Sequence, residues 1–381
     1  MRYTTAGESH GRALVAIVSD VPAGVSLTQE AIDGDLARRQ GGYGRGGRMR
    51  IESDTATVLS GIRFGRTLGS PVALLIENRD AGNWTEVMDA WGPGSAVEPL
   101  TAPRPGHADL PGVQRTASED VRDILERASA RETAARVAAG AVAKALLAEF
   151  GVSVRSWVEA IGGESTGPLD PHSVDPAAVA TSDVSCPDET VAARMRSAID
   201  TARDDGESVG GVFVVVAEGL LPGIGGYAEA ASRLDGRLAG AVMSIPAIKG
   251  VEVGDGFACA SRPGSQVHDE IVPGDGAPRR ATNRAGGIEG GMSNGEPLVV
   301  RAAMKPIPTL MRPLRTVDIA SGEVADAARE RSDVCAVPAA AVVAEAEVAL
   351  VLADAYQEAF GRTALVDMTR AVDAYRARIG W

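Results

Sequence analysis

The sequence predicts an α+β fold in one domain, and three observations point to it. Short apolar runs of strand length alternate with longer segments of helical periodicity along the chain. No linker stands out as a domain boundary, so residues 1–381 are taken as a single unit. An apolar strand, a turn containing proline and glycine, and an amphipathic helix occur in that order twice, which suggests an internal duplication.

The first copy starts with a buried strand at residues 13–18, closed by Asp20-Val21-Pro22-Ala23-Gly24. Thr28 caps the helix that follows, whose Ala31, Ile32 and Leu36 share one face. Strands are expected at residues 57–62 and 72–76. Residues 78–105, polar and rich in Trp, Gly and Pro, read as a long surface excursion. At Ser129-Ala130-Arg131-Glu132 a capping box opens an alanine-rich helix that runs to Phe150 and stops at Gly151. A strand at 152–161, a polar loop at 162–188 and a helix at 191–203 come next. The second copy is the strand at 212–217, the turn Leu221-Pro222-Gly223 and the helix at 232–243. A glycine-dense stretch at 283–295 precedes a strand at 298–304. A long helix at 339–360 ends at Gly361, and a last helix covers 365–379.

Composition excludes several classes of function. A formal net charge of −13 and a pI near 4.9 argue against nucleic acid as a general partner. The apolar runs are too short or too interrupted to span a bilayer, and the first residues carry no signal-peptide pattern. Cys186, Cys259 and Cys335 are far apart with no CxxC spacing, so neither a zinc site nor a disulfide framework is suggested. A reduced, cytoplasmic location and no membrane partner are the expectation. Lysine stands only at 144, 249 and 305 among 38 basic residues, which singles those three out.

Against that acidic background, the segment from Arg38 to Arg48 sets four arginines among five glycines. Arginine grips phosphate or carboxylate with a planar fork of donors, and glycine lets backbone N–H groups close on the same anion. A second anion site is expected at the start of the helix after Ser129, where unsatisfied N–H groups point outward beside Arg127 and Arg131. Gly42-Tyr43-Gly44-Arg45-Gly46-Gly47 matches GxGxxG in form, but it follows a helix where a dinucleotide site needs a strand. A lone RGG-like stretch in an acidic chain gives little ground for RNA binding.

The four histidines divide by setting. His10 in Gly7-Glu8-Ser9-His10-Gly11 and His107 in Arg104-Pro105-Gly106-His107-Ala108-Asp109 have glycine beside them and little side-chain cover. Each suits proton donation near neutral pH, and each is equally readable as a surface or capping residue. His172 reads as solvent-facing, and His268, before Asp269 and Glu270, as a paired structural group. Asp333, beside Arg331, is either half of a simple ion pair or a carboxylate held for proton transfer. No GxSxG elbow, no HExxH and no carboxylate cluster at ligand spacing is present, so a serine hydrolase or a metal site is not suggested. Together these residues form the inventory for eliminating phosphate from a multiply anionic small molecule.

The chain resembles the chorismate synthase family along nearly its full length. The stretches that carry the resemblance include Thr5-Ala6-Gly7-Glu8-Ser9-His10-Gly11, residues 38–49 and 104–109, and Glu126-Arg127-Ala128-Ser129-Ala130-Arg131-Glu132-Thr133. They continue with Ile245-Pro246-Ala247-Ile248-Lys249-Gly250, residues 283–295, Lys305-Pro306-Ile307-Pro308-Thr309 and residues 331–338. The resemblance implies a β-α-β sandwich, a homotetramer, and conversion of 5-enolpyruvylshikimate 3-phosphate to chorismate by 1,4-elimination. That reaction requires reduced FMN without net redox change. NADPH or an external flavin reductase is left open as the source of electrons. In that picture His10 protonates the departing phosphate, His107 supplies a proton to the reduced flavin, and Asp333 assists flavin N5 in taking up the ring proton. Ser9, Arg39, Arg45, Arg48, Arg104 and Arg131 are implied to hold the substrate. Arg127, Ala128, Ser129, Pro246, Ala247, Gly290, Lys305, Pro306, Ile307, Pro308, Thr309 and Arg331 are implied to hold the flavin. Arg12 stands where many relatives carry proline, next to the first motif and outside its catalytic positions. The rival reading is a non-flavin phosphate-ester lyase or transferase using the same arginine loop.

Overall fold

A computed structural model describes residues 1–46, 53–92, 94, 97–274, 276–328 and 332–381. The frame elements of the first half are β1 (Arg2–Ala6), β2 (Ala13–Ser19), α1 (Gln29–Gln40), β3 (Thr57–Ser60), β4 (Val72–Glu77), α2 (Asp109–Thr116), α3 (Arg122–Ala128) and α4 (Thr133–Ala148). The second half continues with β5 (Ser153–Ile161), α5 (Glu189–Asp205), β6 (Gly211–Glu218), α6 (Leu234–Met243), β7 (Ile248–Val253), β8 (Leu298–Met304), α7 (Val337–Phe360) and α8 (Leu365–Ile379).

One antiparallel sheet has the order β1-β2-β4-β3 and the other β5-β6-β8-β7, with a short strand, Glu164–Ser165, on the outer edge of β5. Counted within its own half, each sheet therefore reads first-second-fourth-third. In each half a helix, α1 or α6, joins the second strand to the third, and a long helix, α4 or α7, follows the fourth. The duplication suggested by two strand-turn-helix units thus extends to the whole topology.

The two long helices pack against each other between the sheets, α4 toward β2 and β4, α7 toward β5 and β6. This is the expected β-α-β sandwich. Burial follows from sequence pattern. On β2 and β4 alternate residues (Leu14, Ala16, Val18; Val72, Leu74, Ile76) are completely buried, as suits a sheet covered on one face. In contrast, α7 is apolar on nearly every side and buried on nearly every side, as a helix inside a sandwich must be. The helices approach closely where Gly140 meets Ala346; a Cβ added at Gly140 would lie 2.2 Å from that of Ala346. Buried charges tie the layers together. Glu345 of α7, fully buried, accepts from Lys144 (2.6 Å), from both ends of the Arg38 fork (2.6 and 2.8 Å) and from Ser156 (2.6 Å). Glu347 accepts from Tyr3 (2.6 Å) and Arg136 (3.0 Å).

The structure departs from the sequence reading in identifiable places. β1 was not expected: its residues Arg-Tyr-Thr-Thr-Ala lack apolar alternation because none is fully buried. β7 contains Lys249 and Gly250 and is bulged between Ile248 and Gly250, which hides its pattern. The short helices α2 and α3 were also missed. The strand expected to reach 62 stops at Ser60, because Gly61 takes φ 85° and a Cβ there would lie 2.5 Å from the Pro71 carbonyl oxygen. No capping box forms. Ser129 accepts from the Arg131 N–H (3.3 Å), capping a 3₁₀ turn at Ala130–Glu132, while Glu132 is engaged by Thr5 (2.6 Å) and Arg136 (2.9 Å). The stretch after β4 is not a surface excursion throughout. Asn78 is buried and donates to the carbonyls of Glu8 (3.1 Å) and Gly11 (2.7 Å). All three cysteines are free thiols. Among the described residues no helix is long and apolar enough to cross a membrane.

Candidate active site

The N-terminal ends of α4 and α7 open on one cavity of about 870 Å³. Each half of the duplication sends three corresponding segments to it. They are the segment after its short helix (Arg39 and Arg45; Ile245–Ala247), the segment after its fourth strand (Asp80–Val87; Lys305–Thr309), and the start of its long helix (Ser129–Thr133; Ser332–Val343).

The first half makes the polar wall. Arg39 and Arg131 are both buried and share the carboxylate of Asp54, at 3.5 and 2.6 Å. Arg39 also donates to Thr133 Oγ1 (2.9 Å) and the Ala130 carbonyl (2.9 Å), and Arg131 to Asn78 Oδ1 (2.8 Å). Burial, then the neighbouring Arg131, pushes the Arg39 guanidinium below the ordinary arginine range. Two cations against one carboxylate leave a buried positive charge at the cavity wall, which an incoming anion would relieve. Arg45 pairs with Asp333 (2.8 Å), whose other oxygen accepts from the Gly46 N–H (2.6 Å). The two readings of Asp333 are therefore both visible: it is ion-paired, and it faces the cavity.

Both loop histidines reach this cavity, and each is held at Nδ1 by a carboxylate. Glu126 takes His10 Nδ1 at 2.8 Å, and Asp109 takes His107 Nδ1. An ionised carboxylate only accepts, so Nδ1 carries the hydrogen in both rings and Nε2 is left for the cavity. Asp109 is completely buried and also accepts from Arg104 N (3.0 Å) and Nε (2.8 Å); His107 and Arg104 hold its carboxyl well below the usual range against the opposing effect of burial. Arg104 lines the cavity, but its fork grips Asp109 and Thr309 Oγ1 (3.1 Å).

The second half makes a wall of short or apolar side chains: Ile245, Pro246, Ala247, Pro308, Ala336, Ala339, Ala340 and Val343. Ala247 sits there at φ 70°, a strained conformation for a residue with a Cβ. Lys305 is the cation on this side, donating to the Gly106 carbonyl (2.9 Å); burial and Lys249 hold its ammonium below the ordinary value.

Of the residues singled out in the sequence, Ser9, His10, Arg39, Arg45, Arg104, His107, Ala128, Ser129, Arg131, Pro246, Ala247, Lys305, Ile307, Pro308, Thr309 and Asp333 stand on the cavity wall. Three lie elsewhere. Arg127 points back to β1 and the following loop, donating to the Thr5 (3.0 Å) and Gly7 (3.1 Å) carbonyls. Pro306 is exposed beside the cavity-lining Lys305 and Ile307. Gly290 forms the turn of the hairpin Ile288–Glu289/Met292–Ser293, away from the cavity. Arg48 and Arg331 lie outside the described residues. His172 is exposed as expected. His268 is exposed too, and the neighbouring Asp269 binds Thr282 (2.5 Å) and the N–H groups of Arg284 and Ala285 (both 2.9 Å), so it is not the ring's partner. Sequence reasoning did not assign Glu126, Asp54, Asn78 or Trp84 to the site. Only Asp109 had a local signal, lying two residues from His107.

Comparison with known proteins agrees with this architecture. The sequence model of the family described as chorismate synthase matches residues 1–357. The chain is 57% identical to a chorismate synthase of Rubrobacter xylanophilus, over 99% of this chain and 97% of the other. It is 56% identical to one from Symbiobacterium thermophilum, over 100% and 99%. A crystal structure of chorismate synthase superposes with a TM-score of 0.80 at 41% identity, covering 100% of this chain and 98% of that one. With fold, cavity and sequence in agreement, the chain belongs to the chorismate synthase family, a family of carbon–oxygen lyases acting on phosphates.

Proposed function

We propose that this chain converts 5-enolpyruvylshikimate 3-phosphate to chorismate by 1,4-elimination of phosphate, with reduced FMN required and no net redox change. The observation that carries the reading is the common cavity shared by two carboxylate-held imidazoles, Asp333 and the arginines. Phosphate leaves poorly unless it is protonated or its charge is neutralised. Arg39 and Arg131, sharing only Asp54, supply that neutralisation, and Arg45 sits beside them at Asp333. His10 Nε2 delivers the proton to the departing oxygen. Asp333 is the carboxylate on the wall that receives the proton lost from the substrate ring. His107, fixed by Asp109, holds a second proton at Nε2 on the side where Lys305 and Pro308 lie.

The second-half wall fits a flavin. A tricyclic ring needs a flat apolar surface, which Pro246, Ala247, Ala336, Ala339 and Ala340 supply, and its phosphate tail needs a cation such as Lys305. When bound, reduced FMN lends electron density to the substrate while the C–O bond breaks and recovers it afterwards. The wall excludes water from that encounter. The same reading makes the chain one catalytic domain per protomer of a cytoplasmic homotetramer, with NADPH or a separate reductase supplying electrons.

The test is an anaerobic assay of phosphate release and chorismate formation with photoreduced FMN, with and without NADPH. Turnover that requires reduced FMN is the expected result. Turnover with no reduced flavin present would overturn the reading in favour of a non-flavin phosphate-ester lyase.

A further inference from the structure

His10 is gripped from two directions by side chains that have no part in the reading above. Glu126 of α3, with its side chain 2% exposed, accepts from the His10 main-chain N–H at 2.8 Å (Oε2) and from Nδ1 at 2.8 Å (Oε1), and its own carbonyl accepts from the Ser9 N–H at 3.0 Å. Across the ring, Trp84 stacks on the imidazole with centroids 3.9 Å apart and planes inclined by 26°. Trp84 is fixed in turn: its Nε1–H donates to Asp80 (3.1 Å), and the Arg122 guanidinium lies over its face at 5.2 Å. Arg122 also donates to Glu126 (3.3 Å), closing the assembly.

We propose that Glu126 and Trp84 are positioning residues for the acid of the reaction: Glu126 fixes the rotation and hydrogen placement of His10, and Trp84 fixes its plane, so that Nε2 points at the leaving phosphate. This rests on the assignment of His10 as that acid. The chemistry requires a carboxylate at 126, since His10 presents two donors there, the main-chain N–H and Nδ1–H. Glutamate has two acceptor oxygens for them. Glutamine has one acceptor and one donor, so it satisfies one group and opposes the other. Burial raises the Glu126 carboxyl and the His10 ring more than offsets this, holding it below the ordinary value and ionised.

The test uses the full chain loaded with reduced FMN, comparing Glu126→Gln, Trp84→Ala, Trp84→Phe and His10→Ala. A displaced acid loses rate while the arginines still bind substrate, so Glu126→Gln is expected to lower kcat by about 10²-fold with KM changed by less than about threefold. Trp84→Ala is expected to lower kcat by roughly tenfold, and Trp84→Phe, which keeps a stacking face, to restore most of it. An independent readout is Trp84 emission, taken as the difference between each background and its Trp84→Phe counterpart. The stacked imidazole quenches it, so Glu126→Gln raises it as the ring swings away. Wild-type kcat in Glu126→Gln, or a loss there with unchanged Trp84 emission, would overturn the proposal. If Glu126→Gln does not fold, equal rates in Trp84→Ala and Trp84→Phe would do so. Wild-type turnover in His10→Ala sinks the acid assignment itself, whereas a slow His10→Ala beside a normal Glu126→Gln sinks only the positioning role.

Discussion

The two halves of the molecule share a strand order and differ in what hangs from it. In the first half, residues 7–12 join the first strand to the second and carry Ser9 and His10 into the cavity. In the second half that connection runs from 162 to 210, contains α5, and braces the arginine–glycine loop from outside. Tyr43 donates to Asp200 (2.9 Å), and the Tyr43 N–H donates to the Asp183 carbonyl (2.7 Å). At the segments that do correspond, the first half presents arginine, histidine and asparagine where the second presents proline, alanine and valine, with Lys305 and Asp333 as its charges. A duplicated frame therefore holds one polar wall facing one apolar wall, as a charged substrate beside a flat ring requires.

The largest effect expected from this division is at the first half's imidazoles and their neighbour across the cavity. His10→Ala and His107→Ala should each lower turnover by about 10²–10⁴-fold in a protein that remains folded. Stopped-flow phosphate release with reduced FMN measures it, with circular dichroism as the folding control. Wild-type rates would remove the acid roles and with them the polar character assigned to this wall.

Next comes the seam between the halves. Glu345 belongs to α7 but is neutralised by Lys144 of α4 and Arg38 of α1, with Ser156 of β5 completing its shell. Burial works to raise its carboxyl, yet Lys144 and Arg38 bring it down to about 2. Because the folded value lies below the ordinary one, the stabilisation is fully present above about pH 4.5 and is lost as pH falls toward 2. Glu345→Ala leaves Lys144 beside an empty pocket and should cost about 3–5 kcal/mol in urea unfolding. It should also flatten stability between those pH values. Unchanged acid sensitivity in the variant would show that other carboxylates hold the seam.

The second half's apolar wall is tested by filling it. Ala340→Leu adds bulk where the wall is built of short side chains, and overpacking there costs roughly 1–3 kcal/mol, or about ten- to a hundredfold in FMN affinity. Fluorescence titration with FMN reads the loss, and inorganic phosphate binding should not change. Equal losses for both ligands would mean that the two walls do not divide their duties.

How much of this was legible depends on how locally each feature is encoded. The long helices, β2, β4, β6 and β8 could be read because their burial repeats at the period of the element. β1 and β7 could not, since β1 alternates half-buried with exposed residues and a bulge interrupts β7. In the site, glycine and arginine in motifs pointed to the loops that line the cavity. The groups that orient those loops were invisible: Glu126 reaches His10 across 116 residues and Asp54 reaches Arg131 across 77, and no spacing rule links such pairs. Ser129 with Glu132 illustrates the opposite error, a correct local pattern overridden because Thr5 and Arg136 offer Glu132 better-placed partners.

The smallest expected effect is at Arg45, and it decides what that residue is for. Its loop is rigid: Gly44 takes φ 85°, a Cβ there would lie 2.9 Å from Ile199 Cγ2, and the Val334 N–H donates to its carbonyl at 2.8 Å. Arg45 is thus aimed at the cavity by the frame, with Asp333 as its partner. If it mainly binds substrate, Arg45→Ala raises KM about tenfold, equivalent to about 1.4 kcal/mol, and leaves kcat within a few-fold. Arg45→Lys, which keeps the charge but loses the fork, should fall between. If it mainly holds Asp333, the pattern reverses: kcat falls while KM stays, because the Gly46 N–H alone then positions the carboxylate. Steady-state kinetics with saturating reduced FMN separates the two, and an unchanged KM would move Arg45 from the substrate-binding set to the support of the base.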